Sequence, residues 1–400
     1  MVAYYFEIAT GNLLTPLARK VVLSLASIYA FRMLGLFMIL PILSLYTLQL
    51  THATPTLIGL ALGIYGLTQA ILQIPFGMVS DRIGRKPVIL FGLLLFILGS
   101  VIAALSHNIY GIIIGRALQG AGAIGSTLIA LVADSTPDDK RLRAMSMIGM
   151  VIGLSFVIAM ILGPLLNGVI GLHGIFWLTA GLACLSIVML TTIPTPPRRF
   201  HRECEPAPAL HAFKKVLKMP SLLRLDIGIF LLHGILMALF IAVPVLLKNS
   251  GMNQSWLFYL IILFIACLLM VPFMIIAEKK RKMQSTFLGA VIVLTLSTLA
   301  LWQWHQNLIV ISVLLCLFFA AFTLLEGMLP SLISKTAPPE NKGTAMGIYS
   351  SAQFLGVFFG GAGGGWVFSH FGSNAIFLFC AGLGMIWIML FVIKKIKQNL

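Results

Sequence analysis

Twelve stretches of this chain are apolar over the width of a lipid bilayer, and that repetition constrains the fold more than any other feature. A helix needs about 20 predominantly apolar residues to cross the hydrocarbon core, where each backbone N–H and C=O must be satisfied inside the segment. Such stretches run at approximately 21–46, 55–80, 87–106, 109–134, 143–170 and 174–193. Six more follow at approximately 221–247, 254–277, 285–304, 307–333, 343–369 and 374–393. None alternates with the two-residue period of a barrel strand. Charged residues make up 10% of the 400 and hydrophobic ones 60%, whereas a soluble surface needs about 25% charged residues. The expectation is an all-α membrane protein with twelve transmembrane helices. A soluble enzyme, a secreted disulfide scaffold and a disordered chain are all disfavoured. The first span holds Arg32 and is followed by no small-residue cleavage site, so it reads as a retained helix.

The formal net charge of +16 would suit nucleic-acid binding if it formed one patch. It does not. Of the 27 Lys and Arg residues, all but Arg32, Arg116 and Lys248 lie at the termini or in alternate loops. This asymmetry predicts that both termini and the basic loops face the cytoplasm, and it removes the case for a nucleic-acid partner. The five cysteines are scattered, with no paired framework and no metal-binding spacing. His201, Glu203, Cys204 and Glu205 match no metal-site pattern either, so no metal and no cofactor are expected.

The chain divides in the middle. Residues 1–193 and 221–400 each hold six spans, and residues 194–220 read as a cytoplasmic linker. Within that linker Leu210, Phe213, Val216 and Leu217 recur at helical spacing opposite Lys214, Lys215 and Lys218, the pattern of a short interfacial helix or a solvated linker. The halves repeat. Pro75-Phe76, Asp81-Arg82 and Arg85 reappear 197 residues later as Pro272-Phe273, Glu278-Lys279 and Lys282. Ala144-Met145, Gly163 and Ile175-Phe176 reappear 201 residues later as Ala345-Met346, Gly364 and Ile376-Phe377. Two pseudo-symmetric six-helix bundles flanking a central site predict a transporter that works by alternating access.

Ionisable groups inside the spans are costly, so each is a candidate functional residue. Arg32, Arg116, His233 and Glu326 fall on the first, fourth, seventh and tenth spans. His233 lies nine residues after Arg224 and Glu326 nine before Lys335, so both are expected about 13 Å from the basic-loop end. Glu326 is the leading proton carrier, since low dielectric favours a neutral carboxyl, and His233 is the second candidate. A buried structural ion pair is the bland reading of the two. Arg32 and Arg116 are expected higher, where two cations could hold an anionic substrate group. Asp226, near the start of the seventh span, is expected to pair with Arg224. The run Gly360-Gly-Ala-Gly-Gly-Gly365 lies inside a span and lacks the Lys-Ser/Thr of a phosphate loop, so it reads as close helix packing. No nucleophile triad or nucleotide motif appears, and no enzyme activity is expected.

Three motifs carry a family resemblance. Gly77-Met-Val-Ser-Asp81-Arg82-Ile-Gly84-Arg85-Lys86, between the second and third spans, resembles motif A of the major facilitator superfamily. Arg116-Ala-Leu-Gln119-Gly120 is similar to its motif B. Ala159-Met-Ile-Leu-Gly163-Pro164-Leu-Leu-Asn167-Gly168 is similar to motif C of its drug:proton antiporter branch, with Ala159 and Asn167 replacing consensus glycines. Longer stretches, such as Arg32 to Pro41 and Glu326 to Lys335, resemble bacterial inner-membrane members. Those members carry a small cytoplasmic domain after the last span, which is not expected here because the chain stops at Leu400.

The resemblance implies that the first, fourth, seventh and tenth spans line the central cavity, so Arg32, Arg116 and Gln119 would face substrate. It implies a gate in which Asp81 meets the start of the eleventh span near Gly343 and Thr344, with Arg85 and Asp134 completing a relay. Gly163, Pro164 and Gly168 would serve helix packing. The resulting expectation is a monomeric, proton-coupled exporter of a small amphipathic solute or drug in the inner membrane, its partners being substrate, protons and lipid. An importer on the same fold, a siderophore-like metabolite exporter and a transport-inactive sensor are the alternatives.

Overall fold

The computed structural model describes residues 16–46, 49–136, 138–193, 213–252, 255–279, 282–338 and 341–398. Thirteen helices account for nearly all of them. These are α1 (Pro16–Phe37), α2 (Pro55–Ile83), α3 (Arg85–Leu105), α4 (Ile109–Ala121), α5 (Gly125–Asp134), α6 (Asp138–Thr192), α7 (Pro220–Asn249), α8 (Ser255–Lys279), α9 (Met283–Gln303), α10 (Leu308–Thr336), α11 (Lys342–Phe371), α12 (Ala375–Gln398) and a 3-10 turn at Leu43–Tyr46.

Local chemistry sets the ends. Thr54 caps α2 by accepting a hydrogen bond from the Leu57 N–H, with Pro55 at the first helical position. Gly84, at φ 103°, ends α2 and lets α3 start at the next residue, because a side chain would strain that backbone. Asn108 and Asn307 cap α4 and α10 in the same way as Thr54.

Among the described residues, eight helical segments are long and apolar enough to cross a membrane. One of them, Met147–Thr192, crosses twice. It reverses at Gly171, whose φ of 66° departs from the helix, so that Gly163 abuts Met38 while Thr179 abuts Gly35. The fifth and sixth spans are therefore the two arms of α6. The fourth span is α4 and α5 together, interrupted at 122–124. With the apolar segments Val21–Phe37 and Ala375–Phe391 and the glycine-rich α11, the fold is the expected twelve-helix arrangement in two six-helix bundles. Large exposed apolar side chains such as Phe91, Leu98, Val169, Leu268 and Leu296 cover the outside, as lipid requires.

The bundles touch unequally. At the end away from the basic loops, α2 and α11 meet backbone to backbone through Gly59, Gly63 and Gly66 on one side and Gly361 and Gly365 on the other. A methyl group on Gly365 would come within 2.6 Å of the Pro55 carbonyl oxygen. The Thr56 hydroxyl donates to the Gly365 carbonyl across this seam at 3.5 Å. At the basic-loop end the seam is gone: a Cβ on Gly343 or Gly347 would meet no atom within 4 Å. At those two glycines nothing packs on α11 toward the basic loops.

Of the residues expected to form an interfacial helix, Leu210 lies outside the described residues. The described remainder, 213–217, is helical, with Val216 buried and Lys214 and Lys215 exposed.

Candidate functional site

Three helices of the second bundle bring polar groups to one point. α7 supplies His233, α10 supplies Glu326 and α11 supplies Gln353. The Gln353 side-chain amide donates to Glu326 Oε1 at 3.2 Å and lies 2.8 Å from His233 Nε2. Since that amide nitrogen is a donor, His233 Nε2 accepts, and the neutral ring carries its proton on Nδ1. Glu326 Oε2 stands 3.7 Å from His233 Nε2, so protonating the imidazole would turn this contact into an ion pair. The side chains of His233 and Glu326 are 11% and 36% exposed, which leaves the carboxylate the better reached of the two. Phe322, one turn before Glu326, sets its ring against His233 at a centroid distance of 5.8 Å, and Phe156 of the other bundle lies 6.1 Å from Phe322. The cluster therefore sits where the bundles meet.

His233 and Glu326 thus come together at one level, as the spacing predicts. Gln353 was not singled out by the sequence. A lone amide in an apolar span belongs to no motif; its cost of burial was the available signal.

The arginines lie elsewhere. Arg32 is 2% exposed and donates through Nη2 to Gln69 Oε1 at 2.8 Å and to the Gly122 carbonyl at 3.2 Å. The fourth span is interrupted there, and the Gly122 carbonyl takes the Ile124 N–H at 2.8 Å as its other donor. Arg116 and Gln119 are fully buried. Arg116 donates to the Ala61 carbonyl at 3.3 Å and to Gln119 Oε1 at 3.0 Å, and its guanidinium stacks over the Tyr65 ring at 4.3 Å. Gln119 in turn donates to Ser100 Oγ at 2.8 Å. In this conformation Arg116 and Gln119 join α2, α3 and α4 within the first bundle and do not reach the central cavity. Replacing Arg116 with Ala leaves the buried Gln119 Oε1 without a donor and removes the cation–π contact, an expected loss on the order of 3 kcal/mol. A thermal unfolding curve in detergent measures it, and an unchanged midpoint would contradict this role.

Motif A forms its relay. Arg85 bridges Asp81 Oδ1 at 2.5 Å and Asp134 Oδ2 at 3.1 Å, and donates to Ser80 Oγ at 2.7 Å. Lys86 donates to the Ile193 carbonyl, and Arg82 is exposed. Asp81 is 61% exposed, and among the described residues it pairs with Arg85 and not with α11. Gly77 faces Ser126 Oγ at 3.6 Å. The expected contact of Asp81 with Gly343 and Thr344 is absent in this state because the bundles are apart at that end.

In motif C, Gly163 packs against the Met38 carbonyl and Pro164 continues within α6. Gly168 does not pack: a Cβ there would meet nothing within 4 Å. Five residues on from Gly163, it is turned about 140° round the helix, away from α1. Asn167, one departure from the consensus, accepts a hydrogen bond from the Tyr46 hydroxyl at 2.7 Å, and that hydroxyl accepts from the Leu172 N–H at 3.2 Å.

Asp226 does not pair with Arg224 among the described residues. Two positions apart on a helix, the side chains point to different faces. Asp226 is 5% exposed, and its Oδ1 has no hydrogen-bond partner. Among the described residues no three His, Cys, Asp or Glu side chains group as metal ligands.

A model of the Major Facilitator Superfamily matches residues 25–361 and 285–398. The inner membrane transport protein YajR of Escherichia coli is 45% identical over 94% of this chain and 83% of its own length. The multidrug resistance protein MdtH of Aeromonas hydrophila is 26% identical over 83% of each chain. Among solved structures, a bacterial homolog of the human lysosomal transporter Spinster, in an inward-facing and occupied conformation, superposes with a TM-score of 0.78. It shares 14% sequence identity over 96% of this chain and 97% of its own, a likeness of fold.

Proposed function

Because the chain belongs to the Major Facilitator Superfamily, we propose that it is a proton-coupled exporter of a small amphipathic solute, with Glu326 as the proton carrier. The observation that carries this reading is the His233–Gln353–Glu326 cluster. It is a hydrogen-bonded, partly reachable carboxylate at the level where the bundles meet. An ionisable group inside a span is costly, and such groups mark proton relays and substrate pathways.

The positive-inside rule assigns the basic loops, and with them the open end of the cavity, to the cytoplasm. In this inward-open state Glu326 accepts from Gln353, the arrangement expected once its proton has left. When the cavity faces outward, Glu326 takes up a proton, no longer requires the amide donor, and favours the return to the inward state. Proton loss and substrate binding inside then restore outward opening. The Asp81–Arg85–Asp134 relay is preassembled on the first bundle to hold the inner gate shut in the outward state, against the start of α11, where the helix dipole favours an anion. Arg32, whose Nε and Nη1 have no hydrogen-bond partner here, is the first-bundle group we assign to substrate. The export direction rests on motif C.

The test is accumulation of fluorescent compounds, anionic and cationic, in pump-deficient cells expressing the protein. Lower accumulation of at least one compound, restored by a protonophore, is the expected result and shows the preferred charge. Higher accumulation would reverse the direction to import. No movement of any compound, in cells and in liposomes under a pH gradient, would overturn the reading.

A further inference from the structure

The break in the fourth span gathers hydrogen-bond donors that have no acceptor. α4 ends at Ala121 and α5, 10 residues long, starts at Gly125, so a helix N-terminus lies within the membrane-spanning part of the first bundle. Its N-cap position is Ile124, whose side chain cannot accept a hydrogen bond. The N–H groups of Gly125, Ser126 and Thr127 therefore have no acceptor among the described residues.

Three side chains meet at the same point. Tyr29 and Arg32 lie three residues apart on one face of α1, and Gln69 comes from α2. A Cβ on Gly125 would stand 3.2 Å from the Tyr29 hydroxyl oxygen and 3.9 Å from Gln69 Nε2. Arg32 Nη2 is engaged by Gln69 Oε1 and the Gly122 carbonyl, which ties the guanidinium to the break. Arg32 Nε, Arg32 Nη1 and Gln69 Nε2 have no hydrogen-bond partner, although Arg32 is 2% and Gln69 0% exposed. The charge is unbalanced too. Among the described residues Arg32 forms no ion pair, and the acids of α2 and α5, Asp81 and Asp134, are both held by Arg85. Asp134 stands nine residues along α5 from Gly125, about 13 Å away. A guanidinium, a side-chain amide and a helix N-terminus all donate, and a buried guanidinium without a counter-charge is costly. The group that satisfies all of them is an anion.

We propose that the break in the fourth span is an anion-binding site, with Arg32, Gln69 Nε2 and the N–H groups at the start of α5 as its donors. The proposal rests on the assignment of Arg32 to substrate made above and gives that substrate a class, a compound carrying a carboxylate or another compact oxyanion. The Tyr29 hydroxyl is placed to donate as well. The bare Cα of Gly125 leaves the space in front of these donors. The same chemistry would hold a free inorganic anion, and the experiment separates the two sources.

Thermal unfolding of the purified protein in detergent, followed against rising benzoate, its neutral analogue benzamide, and bromide at fixed ionic strength, tests the site. The midpoint is expected to rise saturably with benzoate and not with benzamide. Gly125→Ala removes no donor but fills the space before them, and should weaken the apparent affinity for benzoate at least about tenfold. Arg32→Gln should abolish the saturable rise. General effects of salt act alike on parent and variants, so the difference between them reads the site, and Gly125→Ala carries the test if Arg32→Gln fails to fold. A saturable rise with bromide alone makes the occupant a free ion and overturns the substrate class. No saturable rise with either anion, or the same rise in parent and variants, overturns the site. The measurement uses neither transport nor a pH gradient, so its failure leaves the proton-coupled reading standing. A protein that binds benzoate but moves no compound in cells or liposomes keeps the site and loses that reading.

Discussion

Glu326→Gln is expected to abolish uphill, proton-driven transport, by about 100-fold or more, while sparing exchange of substrate down its own gradient. The substitution keeps size and hydrogen-bonding reach, so the helices around it should remain packed. What it removes is the capacity to alternate between carboxylate and carboxyl. Glutamine also competes with Gln353: two amides facing each other need no proton to settle their hydrogen bond, and the state of the cluster no longer reports the pH of the side it faces. Gln353→Leu should have a smaller effect, about tenfold, because Glu326 still titrates but loses its donor. The measurement is substrate flux in proteoliposomes with and without an imposed pH gradient, alongside counterflow. A Glu326→Gln protein that still concentrates substrate would show that the proton travels elsewhere.

The second large effect is conformational. The seam between α2 and α11 closes one end of the molecule by close backbone approach at glycines, and a Cβ on Gly361 would stand 2.8 Å from Gly63 Cα. Gly361→Val is therefore expected to disfavour the closed seam by about 3 kcal/mol, a roughly 100-fold shift toward the state open at that end. Spin labels at Thr51 and His370, which flank the seam, should report a longer distance in the variant. Asp81→Asn should act in the opposite sense, because it removes the anion intended for the start of α11 and weakens closure of the basic-loop end. If both variants give the parent's distance distribution, neither contact sets the balance between states.

Much of the architecture was legible because lipid leaves the chain few options. The length of apolar runs, the alternation of basic loops and the displaced repeats each follow from a physical requirement on a membrane protein. The shared level of His233 and Glu326 follows from depth, counted from Arg224 and Lys335, while the facing of their helices is what the family resemblance implies. Facing was harder. In α4 nearly every side of the helix is apolar, so nothing local says whether Arg116 looks inward to its own bundle or toward a cavity. Its partner was nonetheless in view, since Gln119 lies three residues on, within reach on a helix. Gln353 went unnoticed for the converse reason: it carries no charge, and its role exists only because α7 and α10 deliver partners from far away in sequence. For Asp226, proximity along the chain misleads: Arg224 is near in number and distant in angle.

The reversal at Gly171 has a consequence for how the protein is made. The two arms of α6 are joined by a single non-helical residue, and the bend is pinned at once by Tyr46 through Asn167 and Leu172. Without a loop to extend into water, neither arm can enter the bilayer by itself and wait for the other. The arms are therefore expected to enter lipid together as a hairpin, with Tyr46, at the end of the 3-10 turn that follows α1, already in place to receive the bend.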